Sequence, residues 1–225
     1  MSLELNEPTL AQKALALIFP STCICCGEIV DMGQAVCADC EKELEKLEYD
    51  DIRKIRRRGR DFYIRAVYYY DKAASESVKL LKFCSNTRGA KFMGRLIAEK
   101  IRRMRSFDCD AVTFVPMTYF SRMKRGYNQA QLIAQYAAKE LGLPLKTLLA
   151  KTGENRMQHH LSGSERRTNV EGMFTARDSS KGLKVLLIDD VVTTGSTICE
   201  CACALLDAGA ESVTPFGFTM TESHG

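Results

Sequence analysis

The chain has 225 residues, enough for one sizeable domain or for one domain with a small appendage. Hydrophobic residues make up 45% and charged residues 27%, which supplies a packed core and excludes wholesale disorder or a collagenous, low-complexity chain. A net charge of +4, from 32 basic and 28 acidic residues, excludes a histone-like polycation and leaves room only for a local basic patch.

Residues 10–19 read as a short amphipathic helix stopped by Pro20. No apolar run approaches the ~20 residues that a membrane-spanning helix needs, so no membrane insertion is expected. Glu4 and Glu7 stand where a secretory leader would be basic, and the expected location is cytoplasmic.

Ten cysteines in such a chain require an explanation. Five of them, Cys23, Cys25, Cys26, Cys37 and Cys40, crowd into eighteen positions. Cys23 with Cys26 and Cys37 with Cys40 form two C-x-x-C pairs, each able to turn a knuckle around one metal with thiolates about 2.3 Å from it. Four thiolates leave no open coordination position, so the spacing predicts a structural zinc site at Cys23, Cys26, Cys37 and Cys40. Gly27 follows the first pair, where a knuckle calls for a left-handed residue. Cys25 is left out, because a C-x-C pair fits the knuckle less well. Cys84, Cys109, Cys199, Cys201 and Cys203 lie in apolar-periodic segments and read as buried thiols.

Residues 41–47 form a helical fragment. Six basic residues in eight then follow, from Arg53 to Arg60. This run reads as a charged linker and sets the expected domain boundary: residues 1–60 carry the helix, the zinc module and the linker, and residues 61–225 carry the main domain. Arg53, Arg56, Arg57 and Arg58 also have the charge to meet the phosphates of single-stranded DNA, with Phe62 and Tyr63 placed to stack on bases.

Residues 62–70 are rich in aromatic and branched residues and read as a strand. Residues 75–83 and 91–104 show helical spacing of apolar positions, such as Phe92, Leu96 and Ile101. A compact strand over 109–115 is stopped by Pro116. A helix over 128–141 is closed by Gly142 and Pro144. Residues 183–188 are a continuous apolar run of the kind found in doubly buried parallel strands. A helix over 196–208 is capped by Gly209, and a last strand covers 213–218. Alternating strands and helices predict an α/β fold with a parallel sheet flanked by helices. Residues 152–172 are polar and too long for an ordinary connection, which marks them as functional or disordered.

The segment Val185-Leu186-Leu187-Ile188-Asp189-Asp190-Val191-Val192-Thr193-Thr194-Gly195-Ser196-Thr197 carries the most chemistry. It places two acids at the carboxyl end of a buried strand, where ligands of open α/β sheets bind. A small-residue loop and a helix N-terminus follow, and backbone N–H groups from Thr194 to Thr197 suit a phosphate monoester. Asp189 and Asp190 would repel that phosphate, but suit sugar hydroxyls one phosphate-length away. The combination describes a ribose 5-phosphate socket.

This segment resembles the phosphoribosyl pyrophosphate (PRPP) signature of the type I phosphoribosyltransferases. Three further features resemble their ComF branch, which is associated with natural competence: the paired C-x-x-C motifs, Arg122-x-x-Arg125-Gly126-Tyr127-Asn128-Gln129, and Arg156-x-Gln158-x-x-Leu161 continuing to Arg166, Asn169, Gly172 and Phe174. The resemblance implies a type I phosphoribosyltransferase-like sheet behind a small N-terminal zinc module. It implies that Asp189, Asp190, Val192, Thr193, Thr194, Gly195, Ser196 and Thr197 bind PRPP or a phosphoribosyl nucleotide, with Arg122, Arg125 and Gly126 on the pyrophosphate. Magnesium would accompany PRPP and be held indirectly at Asp189 and Asp190. Arg156, Gln158 and Arg166 would be catalytic residues of a closing loop. It further implies a role in uptake of transforming single-stranded DNA beside a helicase-like partner, or, as the alternative, transfer of ribose 5-phosphate to a nucleobase-like acceptor.

Overall fold

A computed structural model describes residues 20–31, 33–70, 87–104, 107–117, 123, 126–151 and 172–221. The predicted helices over 10–19 and 75–83 lie outside them. The described helices are α1 (Ala38–Glu45), α2 (Thr87–Arg102), α3 (Gln129–Leu141) and α4 (Ser196–Asp207). The strands are β1 (Arg53–Arg57), β2 (Arg60–Tyr70), β3 (Ala111–Phe114), β4 (Leu149–Lys151), β5 (Phe174–Ala176), β6 (Lys184–Val192) and β7 (Ser212–Thr221).

The main sheet has the order β1-β2-β7-β6-β3. Its β2–β7, β7–β6 and β6–β3 pairings are parallel, as the alternation of strands and helices predicts. Along β6 the side chains divide between two cores, since successive residues of a strand face opposite ways. Leu186 and Ile188 join Met93, Ile97, Ile133 and Ala137 of α2 and α3. Val185 and Leu187 join Ile198, Cys201, Ala202 and Leu205 of α4. A strand covered on both faces needs apolar residues at every position, which is why this run shows no alternation.

The Arg53–Arg60 run is not a linker. Residues 53–57 are strand β1, antiparallel to β2 in a register from Arg53 opposite Ile64 to Arg57 opposite Arg60. Arg58 and Gly59 turn the hairpin with φ of 49° and 77°, the two left-handed positions of a tight two-residue turn. The expected boundary at residue 60 therefore falls inside the hairpin. Its alternation is hidden in the sequence because Arg53 and Arg57, on the half-buried side of β1, are themselves charged.

The N-terminal module is fused to the same core. Cys23, Ile24, Cys25, Val36 and Leu44 are buried in one cluster with Val67, Tyr68 and the α2–α3 residues. Residues 47–49 also run antiparallel beside β2, with Tyr69 N–H donating to the Leu47 carbonyl and Tyr49 N–H to the Val67 carbonyl.

Helices α2 and α3 meet at Gly94. A Cβ there would lie 2.6 Å from Tyr136 Cβ, 2.7 Å from Ala137 N and 2.8 Å from Ile133 O. Replacing a helical glycine by alanine ordinarily stabilises by ~1 kcal/mol. Here the opposing atoms are backbone or Cβ and cannot rotate aside, so overpacking of roughly 1–3 kcal/mol prevails. Gly94→Ala is expected to lower the urea midpoint, and an unchanged or raised midpoint contradicts the close approach.

Candidate phosphoribosyl site and zinc centre

Strand β6 carries Asp189 and Asp190 near its carboxyl end, residues 193–195 form a short loop, and α4 begins at Ser196. Asp189 is buried, while Asp190 is partly open. Desolvation and then the neighbouring Asp190 carboxylate hold the Asp189 carboxyl well above the usual carboxylate range. Each acid also accepts from the next backbone amide, Asp190 N–H to Asp189 Oδ1 and Val191 N–H to Asp190 Oδ1, both at 3.0 Å.

Gly195 has φ of 74° and stands at the N-cap of α4. The Thr194 hydroxyl donates to Ser196 Oγ at 3.0 Å and accepts from Ser196 N–H at 3.3 Å. The first intrahelical bond runs from Cys199 N–H to the Gly195 carbonyl. N–H groups ahead of it in the first turn lack intrahelical acceptors, as at any helix start, and present donors to an anion. Acids at the strand end and donors at the helix start are thus adjacent, as a sugar phosphate requires.

Other expected site residues are placed in part. Gly126 has φ of 81° and precedes Asn128, which is buried and caps α3, accepting from Gln131 N–H at 3.4 Å and donating to the Val115 carbonyl at 3.1 Å. The end of β3 is thereby fastened to the start of α3. Arg122, Arg125, Arg156, Gln158 and Arg166 lie outside the described residues. Strands β4 and β5, missed in the sequence, pair antiparallel from Leu149–Ala176 to Lys151–Phe174, so the chain leaves and rejoins the body at adjacent points on either side of residues 152–172.

The arginines expected to meet DNA are largely engaged within the chain. Arg57 Nε donates to Glu200 Oε2 at 3.0 Å and Arg58 Nη1 to Glu200 Oε1 at 3.4 Å. Arg58 and Arg60 both pair with Asp207, at 2.9 and 2.7 Å. Arg53 donates to the Thr193 and Thr221 carbonyls. Arg56 remains 72% exposed beside Asp61 at 3.7 Å. Sequence reading missed Glu200, a buried carboxylate on α4 that also accepts from Gly172 N–H at 3.1 Å. Its only signal was an acid set among the apolar positions of a helix.

The second constellation is the cysteine cluster. The sulfurs of Cys23, Cys26, Cys37 and Cys40 all lie within 4.8 Å of one another, and Cys25 is not among them. Burial opposes the Cys23 thiolate, but backbone N–H groups of Cys26, Cys37 and Cys25 outweigh it and lower the pKa to about 6. Burial, followed by the charge of Cys23, pushes Cys25 up to about 12, in keeping with a protonated thiol outside the metal set. Gly27 takes the left-handed conformation with φ of 84°. Four soft donors at this separation fit a closed tetrahedral zinc site.

Comparison with known proteins agrees with both constellations. Residues 14–50 match a double zinc ribbon domain and residues 116–215 a phosphoribosyl transferase domain. The DNA utilization protein YhgH of Salmonella typhimurium is 29% identical over 209 residues, 91% of this chain and 92% of that protein. Competence protein ComFC of Streptococcus pneumoniae is 26% identical over 87% of this chain and 86% of its own. Competence protein F of Haemophilus influenzae is 34% identical over 112 residues, 48% of this chain and 49% of its own. Among solved structures, adenine phosphoribosyltransferase from Thermoanaerobacter pseudethanolicus superposes with a TM-score of 0.41 at 14% identity, covering 80% of this chain and 99% of that one.

Two outcomes follow from these sites. Because the cysteine knuckles share a buried cluster with the sheet, zinc removal by a chelator is expected to lower the melting temperature of the whole protein, with the metal measured by elemental analysis. An unchanged melting curve in zinc-free protein contradicts the assignment. For Asp189 the unfolded chain releases its proton near pH ~3.9, before the folded protein does. Ligand-free stability therefore falls as pH rises from that value through the raised folded pKa. Asp189→Asn should flatten this fall in melting temperature against pH; an equal slope in parent and variant rejects it.

Proposed function

We propose that the chain, which carries a double zinc ribbon ahead of a phosphoribosyltransferase domain and is similar to competence and DNA utilization proteins, is a ComF-type protein that binds PRPP with magnesium and acts in the uptake of transforming single-stranded DNA. The observation that carries the ligand is the acid pair of a doubly buried strand set beside the glycine-headed start of α4. The names of the relatives, for DNA utilization and competence, support the DNA role.

In this reading the ribose hydroxyls donate to Asp189 and Asp190, and the 5-phosphate takes the N–H groups from Thr194 to Thr197 together with the hydroxyls of the loop from Thr193 onward. Val192 is buried and holds the loop's origin in the core. Gly126 and the cationic Arg122 and Arg125 accompany the pyrophosphate. Asp189 and Asp190 would hold magnesium indirectly, through water, and the ion would supply positive charge beside the pyrophosphate. Arg156, Gln158 and Arg166 are assigned to the reacting end of the ligand. Arg56, the most exposed arginine of its run, is the residue assigned to DNA, and a helicase-like protein is the expected partner.

The match of residues 116–215 to a phosphoribosyl transferase domain supports a second reading, transfer of ribose 5-phosphate from PRPP to a nucleobase-like acceptor. Binding comes first in either case. PRPP with Mg²⁺ at a hundred times its dissociation constant should stabilise the parent by ~2.7 kcal/mol. An Asp189→Asn, Asp190→Asn double variant should lose that shift. A zinc-loaded, folded parent whose melting temperature ignores PRPP would end both readings.

A further inference from the structure

We propose that Arg53 is a positioning residue of the phosphate loop, with Ile55 of the same strand as its apolar support. The inference rests on the phosphoribosyl reading of the loop from Thr193 to Thr197. It assigns the first arginine of the basic run to the site itself instead of to a nucleic acid.

The geometry is specific. Arg53 Nη1 donates to the Thr193 carbonyl at 2.9 Å, and Nη2 donates to the Thr221 carbonyl. The Thr221 hydroxyl donates to the same Thr193 carbonyl at 3.2 Å. Both lone pairs of the Thr193 oxygen are thereby used. A trans peptide is planar, and its C=O and N–H point in opposite directions. Holding the Thr193 carbonyl on the guanidinium therefore fixes the Thr194 N–H away from it. That N–H is the first of the donors the loop offers to a phosphate.

Ile55 acts two residues later. A Cβ on Gly195 would collide with Ile55 Cδ1 and lie 3.2 Å from Ile64 Cδ1. The hairpin thus presses an apolar surface against the left-handed glycine and limits where the loop can move. Arg57 continues the attachment down α4 through Glu200. Arginine suits the anchor, because its planar fork reaches the two carbonyls from two separate nitrogens, whereas a lysine ammonium has to meet both from a single atom.

The test uses the full-length, zinc-loaded protein and the variants Arg53→Gln, Arg53→Lys and Lys54→Gln. Amide hydrogen exchange is measured without ligand, and PRPP with Mg²⁺ is titrated calorimetrically. In Arg53→Gln, exchange at residues 194–197 is expected to accelerate and the dissociation constant to rise by about tenfold or more, with Arg53→Lys intermediate. Lys54→Gln, on the exposed side of β1, should leave both within about twofold of the parent. Parent-like exchange at residues 194–197 in a folded Arg53→Gln protein would overturn the proposal. So would acceleration spread evenly over β6 and α4, which is the mark of general destabilisation. If Arg53→Gln does not fold, Arg53→Lys is judged by the same two readouts. If the parent binds no PRPP, the phosphoribosyl reading falls, and the exchange data still decide the role of Arg53.

Discussion

Strand β6 must be buried on both faces and still carry two carboxylates near its end. The first demand is met by Val185 to Ile188, which fill two separate cores with alternate side chains. The second places Asp189 where desolvation and Asp190 both work against its charge. Such an acid weakens the empty protein and becomes useful only when donors arrive to meet it. The surrounding structure has to hold the strand end against that tendency, and several of its features are best understood as doing so.

The hairpin of β1 and β2 is the most direct of them. It grips the loop after β6 at Thr193 and helix α4 at Glu200 and Asp207. Glu200 is a single carboxylate shared by Arg57, Arg58 and the Gly172 amide, so the hairpin and Gly172, more than a hundred positions apart in the chain, meet on one side chain of α4. A buried charge pair of this kind gives little net stability against apolar alternatives, but removing one member leaves the other stranded at a cost of roughly 3–5 kcal/mol. Its value lies in fixing where α4 sits relative to the hairpin and to Gly172.

The parallel sheet and the cysteine site were legible in the sequence because each has a local signature. Leu186 to Asp190 announces a doubly buried strand ending in acids, and C-x-x-C spacing needs no knowledge of the fold. Asn128 and Gly142 likewise mark the two ends of α3. Strand β1 was not legible, because its half-buried residues Arg53 and Arg57 are satisfied by partners some 140 positions away, and a charged run with one isoleucine reads as solvated. Strands β4 and β5 have three residues each, too few to show a period. Glu200 was hidden for the same reason as Arg57: the meaning of each depends on the other, and neither has a local pattern.

The outer side of β1 has a consequence for the protein in a crowded cell. As the last strand in the sheet order, β1 has no further strand beside it among the described residues. An open edge is a template on which other chains, or copies of the same chain, can add by backbone pairing. Lys54 and Arg56 project from it and are largely exposed. Two copies meeting edge to edge would bring these like charges together, so the edge discourages self-association. At the opposite edge, β3 is shielded differently: Val112 N–H donates to the Pro144 carbonyl and Lys146 N–H to the Val112 carbonyl, occupying groups that an intruding strand would need. The sheet is closed to addition by charge on one side and by its own chain on the other.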